Sequence, residues 1–165
     1  MSHLEDLIAE YYDWQGYLVK RNIKVGKRTA GGWDMELDVV AYHPHTKHLV
    51  HLEPSLDAHS WDIREQRFSK KFGFGEKYIF KEVLTWLPTD TPVDRIAVLV
   101  SHPKGRDTLA GARIMSMDEF MLKIKGKILP LGIVAKNAIP EQYPLLRTLQ
   151  LSLNGYYKAH TIAGD

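Results

Sequence analysis

The segment 33–53 constrains the fold of this chain more than any other part of its sequence. Apolar and acidic side chains alternate from Trp33 to Val39 and an apolar run continues to Tyr42, which predicts a β-strand whose two faces differ. A turn containing Pro44 follows, and the residues after it predict a return strand that Pro54 is expected to end. The segment therefore predicts a β-hairpin.

Two carboxylates occupy matching places in this hairpin. Strict alternation puts Leu37 and Val39 on one face of the first strand, and Asp38 and Val40 on the other. Glu53 lies on the return strand, and facing positions of a hairpin bring side chains within a few ångströms. Like charges placed in this way repel unless a cation lies between them, and carboxylate oxygens are the ligands that Mg²⁺ (or Mn²⁺) prefers. The pair predicts a magnesium site; the alternative is two solvated carboxylates on an exposed face of the sheet.

Four histidines surround the predicted hairpin: His43, His45, His48 and His51. They lack the spacing of a zinc-binding pair on a helix, so most of them are expected to be exposed. His51 is the exception. It shares a strand face with Glu53, two residues later, and is expected to border the site.

The rest of the chain alternates between predicted helices and strands. Residues 95–100 are mostly apolar and do not alternate, which indicates a strand buried on both faces of a mixed sheet. Ser2 and Glu5 have the spacing of a capping box. The other predicted elements are a first helix over 4–12, a short strand over 17–19, a second helix over 57–72 ended by Gly73 and Gly75, a segment 78–87 that fits a strand or a helix, a short helix over 117–124 capped by Ser116 and a terminal helix opened by Pro140. This order predicts a single α/β domain over residues 1–165, with three layers and a central mixed β-sheet flanked by helices.

The composition narrows the class of protein. With 165 residues, 44% of them hydrophobic, and a net charge of only +2, the chain has the balance of one globular domain and not of a disordered segment. The absence of cysteine excludes disulfides, thiolate zinc sites and cysteine nucleophiles. The longest apolar run falls far short of the ~20 residues that span a bilayer, and acidic residues interrupt the N-terminus where a signal peptide would be apolar. We therefore expect a cytoplasmic protein without a membrane partner.

A basic stretch precedes the hairpin. Residues 20–28 contain several cations and no acid, although the whole chain is nearly neutral. Lysine and arginine side chains clustered in this way bind nucleic-acid phosphates without reading the sequence of the bases. The residues expected to hold such a partner are Lys20, Arg21, Lys24, Lys27 and Arg28.

A series of short motifs follows in the first half of the chain: Glu5, Gly16-Tyr17, Arg21-Asn22, Glu36-Leu37-Asp38 and Glu53-Pro54-Ser55. Over residues 4–72 their order and spacing resemble those of the PD-(D/E)XK nuclease superfamily, especially its small resolvase-like bacterial members. The resemblance implies a restriction-endonuclease-like fold and a metal-dependent DNA endonuclease that hydrolyses phosphodiester bonds. It also implies that Asp38, Glu53 and the backbone carbonyl of Pro54 hold the metal, and that Glu5 takes part in catalysis. The alternative for Glu5 is the capping box alone.

One position departs from the pattern of the superfamily. Ser55 stands where its members carry a lysine, which orients the attacking water and offsets developing negative charge, and a serine cannot supply that charge. Some members carry the cation on the next helix instead. At ~100° per residue, the apolar stripe of the predicted second helix consists of Ala58, Trp61, Phe68 and Phe72. Lys71 and Arg64 flank that stripe, so we expect Lys71, and after it Arg64, to reach the sheet as the catalytic cation in preference to Lys70. The alternative is a solvated or phosphate-contacting helix face.

Two other functions are compatible with the sequence. The loss of the motif lysine suits a catalytically degenerate member of the same superfamily, which binds nucleic acid or forms part of a homodimer or a larger complex. Two carboxylates would also suit a glycosidase, but the sequence lacks an extended aromatic platform for a sugar.

Overall fold

The computed structural model describes residues 2–154. The chain divides into two compact units, Met1–Glu119 and Phe120–Asp165. The first unit contains α1 (His3–Trp14), β1 (Leu18–Lys27), β2 (Trp33–His43), β3 (His48–Ser55), α2 (Trp61–Ser69), α3 (Gly75–Tyr78), β4 (Val93–Leu99), β5 (Thr108–Leu109) and β6 (Ala112–Ser116). Two further helices are α4 (Met117–Ile128), which begins in the first unit and continues in the second, and α5 (Pro144–Leu153). In the described part of the chain, no helix combines the length and the apolar character that a membrane span requires.

The six described strands form one mixed sheet in the order β1-β2-β3-β4-β6-β5. The first three strands pair antiparallel, β4 is parallel to both β3 and β6, and β5 is antiparallel to β6. The apolar run predicted as a doubly buried strand forms the end of β4, where residues 96–99 have no solvent exposure. The predicted α/β class, with a central mixed sheet and flanking helices, is confirmed.

The predicted hairpin consists of β2 and β3. The last pair of its ladder joins Val39 to Leu52. The expectation that Pro54 ends the return strand is wrong, because β3 continues beside β4 to Ser55. Pro54 lacks the N–H that a ladder to β2 would use, but that ladder has already ended two residues earlier.

Strict alternation fails in the middle of β2. Leu37 packs in the same core cluster as Val40 and Tyr42, although an odd number of positions separates it from each of them. The neighbouring strand β1 holds Asn22 at φ +51°, in the left-handed region that asparagine tolerates, and the β1–β2 pairing skips Asn22 and the facing Asp38. This local change turns Leu37 and Asp38 towards the same helical layer, which a period-two pattern does not anticipate.

The second helix begins later than predicted, at Trp61. The Ser60 side chain accepts a backbone N–H of the first turn and caps the helix. Ala58 therefore precedes the helix and is exposed, so it does not belong to the apolar stripe. Phe68 and Phe72 are buried, as predicted, and pack in a core cluster with residues of β4, β5 and β6.

The expectation that Gly73 and Gly75 end this helix is wrong. Helical residues continue without a break through two π-helical segments, Lys70–Phe74 and Ile79–Val83, which α3 separates. The hydrogen bonds of a π-helical turn span one residue more than those of an α-helical turn, and such turns are frequent at functional sites. Much of the segment 78–87, which fitted a strand or a helix, is therefore helical.

Gly75 lets the helical run lie close to the sheet, and Gly73 is its matched control. A Cβ at Gly75 would lie 2.9 Å from Cδ2 of the fully buried Leu37, whereas a Cβ at Gly73 would meet nothing within 4 Å. We expect Gly75→Ala to lower the free energy of unfolding by about 1–3 kcal/mol through overpacking. Gly73→Ala is expected to raise it by up to about 1 kcal/mol through helix propensity. Urea unfolding measures both values, and equal effects of the two substitutions would contradict the close approach.

The predicted later helices are present with different bounds. Ser116 and Glu119 cap the start of α4 reciprocally, through hydrogen bonds of 3.1 and 2.7 Å, so the predicted cap is confirmed although the helix is longer than expected. The terminal helix begins at Pro144 and not at Pro140, because residues 140–143 form a separate turn.

Candidate active site

The two predicted carboxylates meet where the β2–β3 ladder ends. Asp38 precedes Val39 and Glu53 follows Leu52, so both acids lie directly beyond the last pair of the ladder. The backbone N–H of Asp38 donates to Oε1 of Glu53 at 3.3 Å. Both residues are buried, with 8% of Asp38 and 1% of Glu53 exposed. The alternative of two solvated carboxylates on an exposed sheet face is therefore wrong. Two ionised acids buried side by side require a compensating cation.

Lys71 supplies a cation to this pair. Its Nζ lies 2.8 Å from Oδ1 of Asp38 and also contacts Oε2 of Glu53. A single nitrogen that reaches both acids holds the two oxygens within roughly 6 Å of each other, which is twice a hydrogen-bond length. Lys71 belongs to the first π-helical segment. Two carboxylates and one ammonium give the cluster a formal charge of −1 when all three are ionised.

Burial shifts the protonation of these groups. Burial, followed by the charge of Glu53, raises the pKa of Asp38 to about 7, and burial also raises the pKa of Glu53. Burial alone would lower the pKa of Lys71, but the two carboxylates outweigh it and hold that pKa above its ordinary value. Lys71 is therefore charged near neutral pH. Shifted pKa values of this kind are concentrated at functional sites.

His51 holds the Glu53 carboxylate through its other oxygen. The ring is fully buried, and its Nε2 lies 2.7 Å from Oε1 of Glu53. Burial, followed by the charge of Lys71, lowers the pKa of His51 to about 3, so the ring is neutral near pH 7. An ionised carboxylate only accepts hydrogen bonds, so when Glu53 is ionised the ring donates from Nε2 to Oε1. The ring Nδ1 has no partner among the described residues. His51 borders the site, as predicted, and fixes the orientation of Glu53.

Arg64, the second expected cation, binds elsewhere. Its guanidinium donates to the backbone carbonyl of Asp57 at 2.6 Å and packs over Trp61, 4.9 Å from the ring centroid. The Ser55 hydroxyl donates to the Asp57 carboxylate at 2.5 Å, and Arg67 donates to the same carboxylate at 2.9 Å. Ser55 therefore belongs to a neighbouring ion cluster around Asp57. This cluster could not be predicted from the sequence, because an acid two residues after a serine is an ordinary turn pattern.

Glu5 and Pro54 have structural surroundings of their own. The Glu5 carboxylate accepts the backbone N–H of Ser2 at 3.0 Å, and the N–H of Glu5 donates to the Ser2 hydroxyl at 3.2 Å. The predicted capping box is confirmed. Pro54 lies half-buried in β3, directly after Glu53. Two predictions remain untested: that Glu5 takes part in catalysis, and that the Pro54 carbonyl binds a metal.

The predicted phosphate-binding cations lie along β1, an edge strand, and at the turn after it. Arg21 pairs with Asp6 of α1 at 2.5 Å, and Arg28 pairs with Asp34 of β2 at 2.8 Å, so these two arginines are partly neutralised. The members of the set that are exposed and form no ion pair within residues 2–154 are Lys20, Lys24 and Lys27. Their binding to nucleic acid stays a prediction.

The donor set is compatible with a hard metal ion. Mg²⁺ in proteins is commonly held by one or two carboxylates and keeps several waters. Asp38 and Glu53 offer two carboxylates within reach of one cation. Across residues 2–154, no group of three or more histidine, cysteine, aspartate or glutamate side chains is arranged to hold a metal. A magnesium or manganese ion here would therefore use two side chains.

Comparisons with known proteins add no family to this geometry. No family model, no curated protein and no solved structure matches the chain. A functional assignment therefore depends on the arrangement of Asp38, Glu53 and Lys71 itself.

Proposed function

We propose that the protein is a metal-dependent DNA endonuclease that hydrolyses phosphodiester bonds. One observation carries this proposal: the Lys71 ammonium contacts both Asp38 and Glu53. Ser55 stands where the superfamily that the sequence resembles carries a lysine, and Lys71 would provide the same charge from the helical run. Two acids and one lysine in contact support the proposal.

The order and pairing of the strands also support a restriction-endonuclease-like fold. Both acids lie on the antiparallel hairpin β2–β3, and the return strand β3 then pairs parallel with β4 in the middle of a mixed sheet. The hairpin fixes the separation of the acids. The helical run that follows the hairpin in the chain places the Lys71 ammonium against both of them. The scaffold under the site is therefore regular secondary structure, which holds side chains more precisely than loops do.

Each residue of the centre has a distinct task in this proposal. Asp38 and Glu53, with the carbonyl of Pro54, would hold Mg²⁺ or Mn²⁺. The ion, when bound, supplies stabilisation of negative charge on the scissile phosphate and acidifies water. Lys71 offsets charge on the phosphate oxygens and orients the attacking water. His51 positions Glu53 through its buried hydrogen bond.

The charge distribution suits an anionic polymer. With all three groups ionised, the buried centre has a formal charge of −1, whereas the neighbouring edge strand β1 presents Lys20, Lys24 and Lys27 to solvent. Exposed lysines attract the phosphate backbone at long range, and a negative centre attracts a divalent cation. A net charge of only +2 for the whole chain is the sum of these opposite regions.

The proposed activity is tested by incubating the protein with supercoiled, linear and branched DNA in Mg²⁺ or Mn²⁺, with EDTA as the control. We expect at least one substrate to be cut with metal and none with EDTA, because the carboxylates alone stabilise no negative charge on a phosphate. If none of the three substrates is cut in either metal, the proposal is wrong.

A binding-only protein is the second candidate, and a specific observation favours it. The Lys71 ammonium lies against both carboxylates and neutralises part of their charge without any metal. In such a protein the ion pair is structural, and nucleic acid is held by the lysines of β1 alone. Isothermal calorimetry distinguishes the two candidates, because only the nuclease requires Mn²⁺ to bind. Salt-dependent DNA binding, with neither cleavage nor heat from Mn²⁺, would favour the binding-only protein.

A further inference from the structure

A second surface lies on the helical run that carries Lys71. Phe74 follows Lys71 by three residues, and 59% of it is exposed to solvent. Lys70 and Lys77 belong to the same helical run and line one cleft together with Phe74. This surface could not be predicted from the sequence, because the two glycines on either side of Phe74 indicate the end of a helix.

Phe74 lines an open cleft of about 240 Å³ beside the β2 strand. Met35 and Tyr78 contribute the rest of its apolar wall. The Lys77 Nζ lies 5.6 Å from the centroid of the Phe74 ring and 4.8 Å from that of Tyr78. The cations that line the cleft are Arg28, Lys70 and Lys77. Aromatic rings and ammonium groups are thus placed side by side in one concave surface.

Two of these cations are available to an anionic ligand. Lys70 and Lys77 are exposed and form no ion pair among the described residues. Arg28 is instead held by Asp34, which also accepts the hydroxyl of Tyr78. The contact of Lys77 with two aromatic rings leaves its charge intact. The cleft therefore has a net positive character next to an accessible ring.

We propose that this cleft binds an unpaired strand of nucleic acid, with one base stacked on Phe74 and the flanking phosphates held by Lys70 and Lys77. A base stacks on an aromatic side chain only when its own face is free, which excludes a base inside a duplex. The cleft is open and shares Arg28, Asp34 and Tyr78 with a neighbouring hollow, so a ligand longer than one nucleotide can lie along it.

This inference rests on the proposed nuclease function and specifies its substrate. A Cβ at Gly75, on the same helical run, would lie 3.6 Å from Sδ of Met35, which lines the cleft, and 3.4 Å from Cε1 of His51. Because His51 holds Glu53, the cleft is adjacent to the two carboxylates. The substrate class is then DNA with unpaired nucleotides, in which a single strand enters the cleft and leads to the centre.

Fluorescence anisotropy in EDTA tests the cleft, using a labelled oligo(dT) of about 15 nucleotides and a blunt duplex of the same length. We expect the wild type to bind the single strand more tightly than the duplex, and Phe74→Ala to weaken single-strand binding by about tenfold or more. Trp86→Ala is the matched control, because Trp86 is an aromatic residue with a similar exposure of 58%, and it is expected to leave binding unchanged.

A salt titration of the same complex tests the two lysines. Lys70→Gln and Lys77→Gln are each expected to lower the slope of log K against log salt concentration by about 0.7. Lys47→Gln, at an exposed lysine in the turn between β2 and β3, is expected to leave the slope unchanged. Slopes for Lys70→Gln and Lys77→Gln that match the Lys47→Gln slope would overturn the proposal.

The use of EDTA separates this inference from the proposed catalysis. Single-strand binding that depends on Phe74, in a protein that cuts no DNA with metal, supports the cleft and removes the nuclease. Metal-dependent cleavage together with equal oligo(dT) affinity of wild type and Phe74→Ala overturns the cleft and keeps the nuclease. Tighter binding of the duplex, or displacement of oligo(dT) by polyglutamate as efficient as by unlabelled oligo(dT), also overturns the cleft.

Discussion

Asp38→Asn is expected to abolish DNA cleavage and to make the protein more stable. The substitution removes one of the two carboxylates that would hold the metal, and we expect the cleavage rate to fall on the order of 10³-fold. It also takes the buried cluster from a formal charge of −1 to zero, because Lys71 and Glu53 remain as a balanced pair. We therefore expect the free energy of unfolding in EDTA to rise by on the order of 2 kcal/mol at pH 8.

The gain in stability has a defined pH dependence. The pKa of Asp38 in the folded chain is about 7, above its ordinary value of 3.8. The contribution of Asp38 to stability is therefore fully present below its ordinary pKa and is lost as the pH rises through about 7. Asparagine has no such loss, so the advantage of Asp38→Asn grows with rising pH up to about 7 and is constant above it.

Urea unfolding at pH 5 and pH 8, together with plasmid cleavage, measures both effects of Asp38→Asn. Asp90→Asn is the matched control, because Asp90 is an exposed acid in a loop of the same unit. The control is expected to change neither cleavage nor stability. Wild-type cleavage by Asp38→Asn would remove Asp38 from the mechanism. A loss of stability at pH 8 would contradict the expected gain and show that the ion pair of Asp38 with Lys71 outweighs the cost of burying the Asp38 charge beside Glu53.

The parts of the site that the sequence predicts are those set by local pairing. Asp38 and Glu53 are brought together by a hairpin, whose strands are visible as alternation and whose turn is marked by Pro44. The position of His51 beside Glu53 follows from the same two-residue period. Burial of both acids is not a local property, because it depends on the helical run that covers this part of the sheet.

The sequence alone cannot decide whether Lys71 or Arg64 reaches the two acids. Both flank the apolar stripe of the predicted helix, so helical geometry ranks them almost equally. Arg64 is drawn instead to Asp57, a partner in the loop before the helix, and the acids are left to Lys71. The π-helical segments could not be predicted either, because two glycines near Phe74 are a pattern that ordinarily ends a helix.

Lys71→Met is expected to separate metal binding from catalysis. The substitution keeps an unbranched apolar stem and removes the ammonium that contacts both Asp38 and Glu53. When both acids are ionised, the formal charge of the cluster is −2 in place of −1, which strengthens its attraction for a divalent cation. At pH 8 we therefore expect Mn²⁺ to bind more tightly than in the wild type. Cleavage is expected to fall by about 10²–10³-fold, the usual loss when one group that stabilises transition-state charge is removed.

The same variant is expected to be less stable when no metal is present. Removal of one partner from a buried ion pair costs about 3–5 kcal/mol, and we expect about 3 kcal/mol here, because Asp38 can take up a proton once Lys71 is gone. Urea unfolding in EDTA and in Mn²⁺ measures this loss and its recovery by the ion. Lys47→Met, at the exposed turn lysine, is the control and is expected to match the wild type in both conditions.

Calorimetry of Lys71→Met with Mn²⁺ also decides between the nuclease and the binding-only protein. If the ammonium permanently neutralises the acids, the wild type binds no Mn²⁺, and the substitution creates a site that was absent. If Lys71 serves catalysis, the wild type already binds Mn²⁺, and the variant binds the ion more tightly while it cuts DNA more slowly. Cleavage by Lys71→Met at the rate of Lys47→Met would exclude Lys71 from the reaction, because the ammonium would then stabilise no charge that forms during hydrolysis.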